Sequence, residues 1–232
     1  MKIEYCKDSK TALRIMTEHL TQLMQEKGLE PFNLALSGGE TAKQMFSLWV
    51  EEYRDKIDWN ALRFFWVDER CVPASDSDSN YGQANRLLFK PLHIPEEHIH
   101  RIKGEKEPGA EAMRYSWEVK EYLPLFNLMP TFDCIILGIG NDAHTASIFP
   151  NTMELLSDSR SYTVSQHPAS HQFRITMTGT LILNNSPLLI PVFGEDKKAV
   201  IEHLADRFSP SNDTPAAYIL SHAVDATVYT TE

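Results

Sequence analysis

Apolar residues recur at helical spacing over residues 8–28, where Leu13, Met16, Leu20 and Leu23 mark one face, Asp8 and Ser9 offer caps and Gly28 a stop. Pro31 then opens the run Phe32-Asn33-Leu34-Ala35-Leu36, short enough for a buried strand, which ends in Ser37-Gly38-Gly39-Glu40-Thr41 and passes into a helical pattern through Trp49. A second near-continuous apolar run, 62–67, stops abruptly at Asp68-Glu69-Arg70, ahead of the polar stretch 74–80. The pattern then predicts a helix over 81–89, a loop-rich connection over 91–108, and a helix over 111–126 broken at Pro124. A third buried strand, 132–137, runs into Gly138-Ile139-Gly140-Asn141-Asp142-Ala143-His144. Further strands are expected near 161–165, 173–177 and 188–193, a helix from about 196 to 208, and a last strand near 225–229.

Buried-type strands alternating with helices predict an α/β fold, a Rossmann-like, mostly parallel sheet sandwiched by helices. In such sheets ligands bind beyond the carboxyl ends of the strands. Three polar clusters, 37–41, 68–70 and 138–145, each directly follow a predicted strand, so they should converge at one edge. No internal repeat or linker divides the chain, and a single domain over 1–232 is expected.

Composition narrows the class. With 42% hydrophobic and 23% charged residues, neither disorder nor a collagen-like architecture fits. No apolar stretch reaches 18 residues, and the N-terminus carries charges where an export signal would be apolar, so a cytoplasmic protein is expected. Cys6, Cys71 and Cys134 are odd in number and form no CxxC pair, which predicts reduced thiols. Twenty-two Lys and Arg against 32 Asp and Glu leave a net charge of −10, with no basic stripe for nucleic acid or an anionic membrane. An anionic ligand therefore needs a local positive pocket.

The clusters offer that chemistry. At the start of a helix, the backbone N–H groups and hydroxyls of 37–41 can cradle an oxyanion, although the same pattern also serves a plain strand-to-helix turn. It is not a Walker loop, since no Gly-Lys-Ser/Thr follows. Gly138, Gly140 and Ala143 match GxGxxA, but no acidic residue closes the next strand and Asp142 would repel a pyrophosphate, so no dinucleotide cofactor is expected. The loop reads instead as a substrate-facing turn carrying His144, because histidine ordinarily titrates near neutrality (about 6.5) and suits general acid-base work. Asp142 or Asp68 can orient that imidazole; the plainer alternative is a loop histidine that caps a helix.

Arg70 and Lys197 are candidates for holding a phosphate, against the ordinary reading of surface charge. Arg174 interrupts an apolar strand. Cys71 reads as a small packed thiol rather than one activated by Arg70. No Gly-x-Ser-x-Gly elbow supplies a serine nucleophile. His98 with His100, and His167 with His171, lack partners to complete a metal set, so no metal is expected.

Taken in order, Leu36-Ser37-Gly38-Gly39, Val67-Asp68-Glu69-Arg70-Cys71-Val72-Pro73, Ser79-Asn80-Tyr81, the run from Leu137 to Pro150 ending His144-Thr145-Ala146-Ser147-Ile148-Phe149-Pro150, Arg174-Ile175-Thr176 and Gly194-Glu195-Asp196-Lys197 resemble the 6-phosphogluconolactonases over nearly the whole chain. The resemblance implies the fold shared with glucosamine-6-phosphate deaminase and ribose-5-phosphate isomerase, a sugar-phosphate substrate, and hydrolysis of 6-phospho-D-glucono-1,5-lactone with no metal or other cofactor. It implies His144 as the base that activates water. It also implies Arg70 and Lys197 as the phosphate handle, helped by Ser37, Gly38, Gly39 and Thr41, with Asp142 and Arg174 in support. Two departures stand out. Glu40 and Ala42 replace the family's serine and proline in the glycine turn, and Ala143 replaces the glycine of Asp-Gly-His. A deaminase-like enzyme and a non-catalytic sugar-phosphate sensor are the alternatives; the first resembles Asp-Glu-Tyr where this chain has Asp68-Glu69-Arg70 and carries a further glutamate after the histidine motif, which is absent here.

Overall fold

The structure is a computed structural model, and it describes residues 1–194, 197, 200–202 and 213–231. The expected helix over 196–208, and Glu195 and Asp196 of the last motif, lie largely or wholly outside the described residues, whereas Lys197 is within them. Helix α1 (Ser9–Lys27) begins where the Asp8 carboxylate accepts from the Thr11 N–H at 2.7 Å. It ends at Gly28, whose φ of 78° suits a residue without a Cβ. Its buried face, Ala12, Leu13, Met16 and Leu20, packs on the main sheet.

That sheet has six parallel strands in the order β1 (Lys2–Cys6), β11 (Ala226–Thr231), β10 (Leu188–Pro191), β7 (Cys134–Ile136), β2 (Phe32–Leu36) and β3 (Leu62–Trp66). Every residue of β2, β7 and β10 is buried, as continuous apolar runs covered on both faces require. The chain moves outward from β2 to β3 on one side and from β7 through β10 to β11 on the other. A crevice therefore opens between the carboxyl ends of β2 and β7, the switch point of the topology.

The expectation of a parallel α/β sheet holds, with two corrections to which strands belong to it. The strands expected near 161–165 and 173–177, β8 (Tyr162–Gln166) and β9 (Phe173–Met177), leave it to form a separate antiparallel sheet. They are joined there by β4 (Asp68–Arg70), so the charged cluster after β3 is itself a strand, with Arg70 opposite Arg174. The helix expected over 111–126 is α5 (Pro108–Tyr122); it stops before Pro124, and Leu125–Phe126 (β5) turns back onto Met129–Pro130 (β6). Asn127 and Leu128, at φ 50° and 67°, make the two positive-φ positions that such a tight hairpin needs.

β1 was not foreseen, nor was α7 (Pro215–His222), although Thr214 caps it and Pro215 occupies its first turn. The helix expected over 81–89 is α3 (Asn80–Ala84) continued by one wide turn, Asn85–Phe89. The following loop-rich stretch opens on α4 (Lys90–Leu92), and α6 (Gly179–Ile182) follows β9. Among the described residues no helix is long and apolar enough to cross a membrane.

The two sheets are clamped at Trp66. Its N–H donates to the Tyr115 hydroxyl of α5 at 3.0 Å, and its carbonyl accepts from the Tyr162 hydroxyl of β8 at 2.8 Å. Both tyrosines are buried, so neither bond can be replaced by bulk water. Tyr162→Phe should therefore destabilise the protein by about 1–2 kcal/mol in urea unfolding, by orphaning a buried carbonyl; an unchanged midpoint would show that the clamp contributes nothing.

Candidate active site

The crevice between β2 and β7 is closed at its floor by Ser37, whose hydroxyl accepts from the Gly138 N–H at 3.1 Å while its own N–H donates to the Ile136 carbonyl. Above it, Gly38 passes so close to Asn80 that a Cβ would sit 1.9 Å from the amide oxygen. Gly39, at φ 97°, turns the chain into α2 (Glu40–Glu52), a helix whose N-terminus has no side-chain cap among the described residues. Its first N–H groups and the helix dipole thus face the cavity, an arrangement that favours an anion. Glu40 also lines the cavity, and its exposed carboxylate pairs with Lys43, 3.1 Å away, which offsets part of its charge.

One cavity is lined by Ser37, Gly38, Gly39, Thr41, Asp68, Arg70, His144 and Lys197, eight of the ten residues singled out in the sequence. The other two stand behind it. Asp142 forms a short hydrogen bond to the His144 Nδ1 and also accepts from the His144 N–H at 3.2 Å. Burial raises the Asp142 pKa, but the His144 charge and these hydrogen bonds outweigh it and leave the carboxyl below its usual range. Arg174 is nearly buried and faces Arg70 across the β4–β9 ladder, with Ser165 opposite it on β8. The Arg174 Nε and the Ser165 hydroxyl are buried with no hydrogen-bond partner among the described residues. Burial, then the Arg70 charge, pushes the Arg174 pKa down. Two guanidinium groups held side by side with donor capacity to spare make a site for an anion.

Asp68 lines the cavity and is held by two side chains. Its carboxylate accepts from the Ser147 hydroxyl at 2.6 Å and from the Asn80 amide at 3.1 Å, linking β4 to the histidine loop. The Cys71 thiol is pushed up to about 11, first by burial and then by Glu69, which agrees with a packed cysteine. Among the described residues no group of three or more His, Cys, Asp or Glu is placed to hold a metal.

The loop after β7 explains its own glycine. A Cβ on Gly140 would lie 2.1 Å from the His144 ring, so that ring lies directly over the glycine Cα. The Phe149 ring supports the imidazole from another side, 5.0 Å between centroids. Ala143 adopts φ 60°, the left-handed conformation for which glycine is the ordinary residue.

The sequence matches the family described as glucosamine-6-phosphate isomerases/6-phosphogluconolactonase over residues 8–229. The chain belongs to this family. It is 42% identical to the 6-phosphogluconolactonase of Treponema pallidum over 74% of this chain and 71% of that protein. It is 40% identical to the 6-phosphogluconolactonase of Haemophilus influenzae over 82% of this chain and 80% of that protein. The structure of 6-phosphogluconolactonase from Trypanosoma cruzi superposes with a TM-score of 0.87 at 26% identity, covering 99% of this chain and 94% of that one.

Two residues at the site were not singled out from the sequence. Asn80, quoted there only within a motif, lines the cavity and donates to both the carbonyl and the carboxylate of Asp68. Glu69, the middle of Asp68-Glu69-Arg70, is buried and accepts from the N–H groups of Arg70, Asn80 and Tyr81 and from the Ser79 hydroxyl. An acidic residue inside a charged tripeptide was the only signal for it. The strain at Ala143 makes a direct test of the histidine loop. Ala143→Gly should stabilise the protein by up to about 1 kcal/mol in urea unfolding, through relief of the left-handed backbone; a destabilised variant would show that the alanine Cβ packs more favourably than its backbone is strained.

Proposed function

We propose that this protein is a 6-phosphogluconolactonase, hydrolysing 6-phospho-D-glucono-1,5-lactone to 6-phospho-D-gluconate, a step of the oxidative pentose phosphate pathway. The observation that carries the reading is that the hydrogen-bonded Asp142–His144 couple and an arginine-flanked, uncapped helix terminus serve one cavity. The ionised Asp142 accepts from the His144 Nδ1–H, which leaves Nε2 with its lone pair as the general base. His144 takes a proton from water as its oxygen bonds to the lactone carbonyl carbon, giving a tetrahedral oxyanion. When the bond from that carbon to the ring oxygen breaks, the imidazolium returns the proton to the departing oxygen, which becomes the 5-hydroxyl. Protons balance, and the histidine is regenerated.

Arg70, Lys197 and the N-terminus of α2 hold the phosphate, and Arg174, paired with Arg70 across the ladder, adds to the positive potential there. These cations supply locally what a chain of net charge −10 lacks globally. Asp68 keeps Asn80 and the His144 loop in register. The deaminase-like alternative is not favoured: Ser147 and Phe149 follow the histidine, the first bonded to Asp68 and the second packed on His144, and no carboxylate stands there. A single domain over 1–232 and a cytoplasmic location complete the proposal. Three free cysteines fit a reducing compartment.

Freshly generated 6-phosphogluconolactone, followed by proton release, should be opened well above its spontaneous rate. His144→Ala should lower kcat by about 100-fold or more with the fold intact. Arg70→Ala should raise KM by about tenfold, the value of a charge-assisted hydrogen bond. Wild-type turnover at the spontaneous rate would reject the proposal; full activity in His144→Ala would remove that residue from the mechanism.

A further inference from the structure

The turn joining β8 to β9 carries a third ring beside the catalytic histidine. His167 packs edge-on against Phe149, 5.2 Å between centroids, and Phe149 in turn supports His144 at 5.0 Å, so both imidazoles share one phenyl wall. The His167 Nδ1 accepts from the N–H groups of Ala169 at 3.2 Å and Ser170 at 3.1 Å. Two donors converging on one ring nitrogen require a lone pair there, so the neutral ring carries its proton on Nε2, across the ring. The turn is braced as well by hydrogen bonds from the His167 N–H to the Gln172 carbonyl and from the His171 N–H to the His167 carbonyl.

Burial, then the positive charge of Arg174, holds the His167 pKa below the ordinary histidine value, which favours the neutral ring. After Arg174 the groups acting on it are His144, Asp142 and Arg70. The shared Phe149 ring and the pairing of Ser165 with Arg174 place His167 near both His144 and Arg174, at the margin of the cavity rather than among the residues that line it. The imidazole is thus fixed in orientation and tautomer, and its Nδ1 is fully used by the loop.

We propose that His167 is a further substrate-binding residue, whose Nε2–H donates to an oxygen of the sugar portion of the substrate, while the phosphate is held elsewhere by Arg70, Lys197 and α2. The assignment rests on the reading of the cavity as a sugar-phosphate site and adds to it a contact that selects the polyhydroxylated part. A neutral donor suits that task, since it can bond to a hydroxyl or ring oxygen without competing for the phosphate.

The two nitrogens can be tested separately. Asparagine places an acceptor where Nδ1 lies and retains the loop bonds but does not reach as far as Nε2; glutamine reaches that far but loses the loop acceptor. Calorimetric titration with 6-phosphogluconate, and separately with inorganic phosphate, reads the contact whether or not the lactone is turned over. His167→Asn should weaken 6-phosphogluconate binding by about five- to tenfold, leave inorganic phosphate within twofold, and keep the wild-type Tm. His167→Gln should bind 6-phosphogluconate within about twofold of wild type at a lowered Tm. Unchanged 6-phosphogluconate binding in His167→Asn would overturn the proposal and leave His167 as a turn brace. Parallel weakening toward both ligands would overturn it too, placing the residue at the phosphate. Failure of the wild type to open the lactone, with the asparagine effect present, would reject the reaction but not the contact.

Discussion

A single buried carboxylate holds the binding cavity in shape. Glu69 sits on β4, just past the end of the main sheet, and collects hydrogen bonds from the Arg70, Asn80 and Tyr81 N–H groups and the Ser79 hydroxyl. Burial pushes its pKa up to about 7, against the pull of those backbone donors toward the charged form. Because two of the donors belong to the first turn of α3, the same carboxylate anchors the helix that presents Asn80. Asn80 then secures Asp68 and comes within contact of Gly38. The glycine turn, the arginine strand and the histidine loop, three segments far apart in sequence, are thereby held to one geometry.

The geometry of the candidate site is set by backbone as much as by side chains. The ring of His144 occupies space that only a glycine at 140 leaves open, and the turn that presents it passes through a left-handed alanine. That strain is tolerated because the loop is secured at both ends, through the Thr145 hydroxyl to the Gly138 carbonyl at 2.8 Å and the Ala216 N–H to the Ala143 carbonyl at 3.0 Å. On the opposite wall the two arginines are aligned by ladder register rather than by ion pairing with each other's neighbours, which leaves them able to receive a ligand.

The parts legible in the sequence were those with strong local signals. The apolar runs of β2, β3 and β7, the caps of α1 and the glycine loops announced both the parallel sheet and the edge where its ligand belongs. The Asp-Glu-Arg tripeptide marks only the end of an apolar run in the sequence, because the ladder that makes it a strand lies on β9 and its carboxylates are satisfied by Ser147 and the α3 terminus, which no local window contains. β1 was missed because Lys2-Ile3-Glu4-Tyr5 is an edge strand with weak alternation, and its burial pattern remains mostly partial or exposed. The Arg174 environment depends on strand register, and the neighbourhood of His167 on where a hairpin folds. Neither is a property of composition or spacing.

The place of β1 in the sheet bears on how the chain reaches its native state. Among the described residues it is the outermost strand and pairs with β11 alone, so that Lys2 lies opposite Thr227. A strand made well ahead of β11 thus has no sheet partner until β11 itself has emerged. The loop to be closed spans everything between β1 and β11, and contacts of such long sequence separation are among the slowest to form. During synthesis, Lys2–Cys6 waits as an unpaired segment whose lysine and glutamate blunt association with other nascent chains, in the manner of charged edge strands. The charge that hid this strand from sequence reading is also what protects it while it waits.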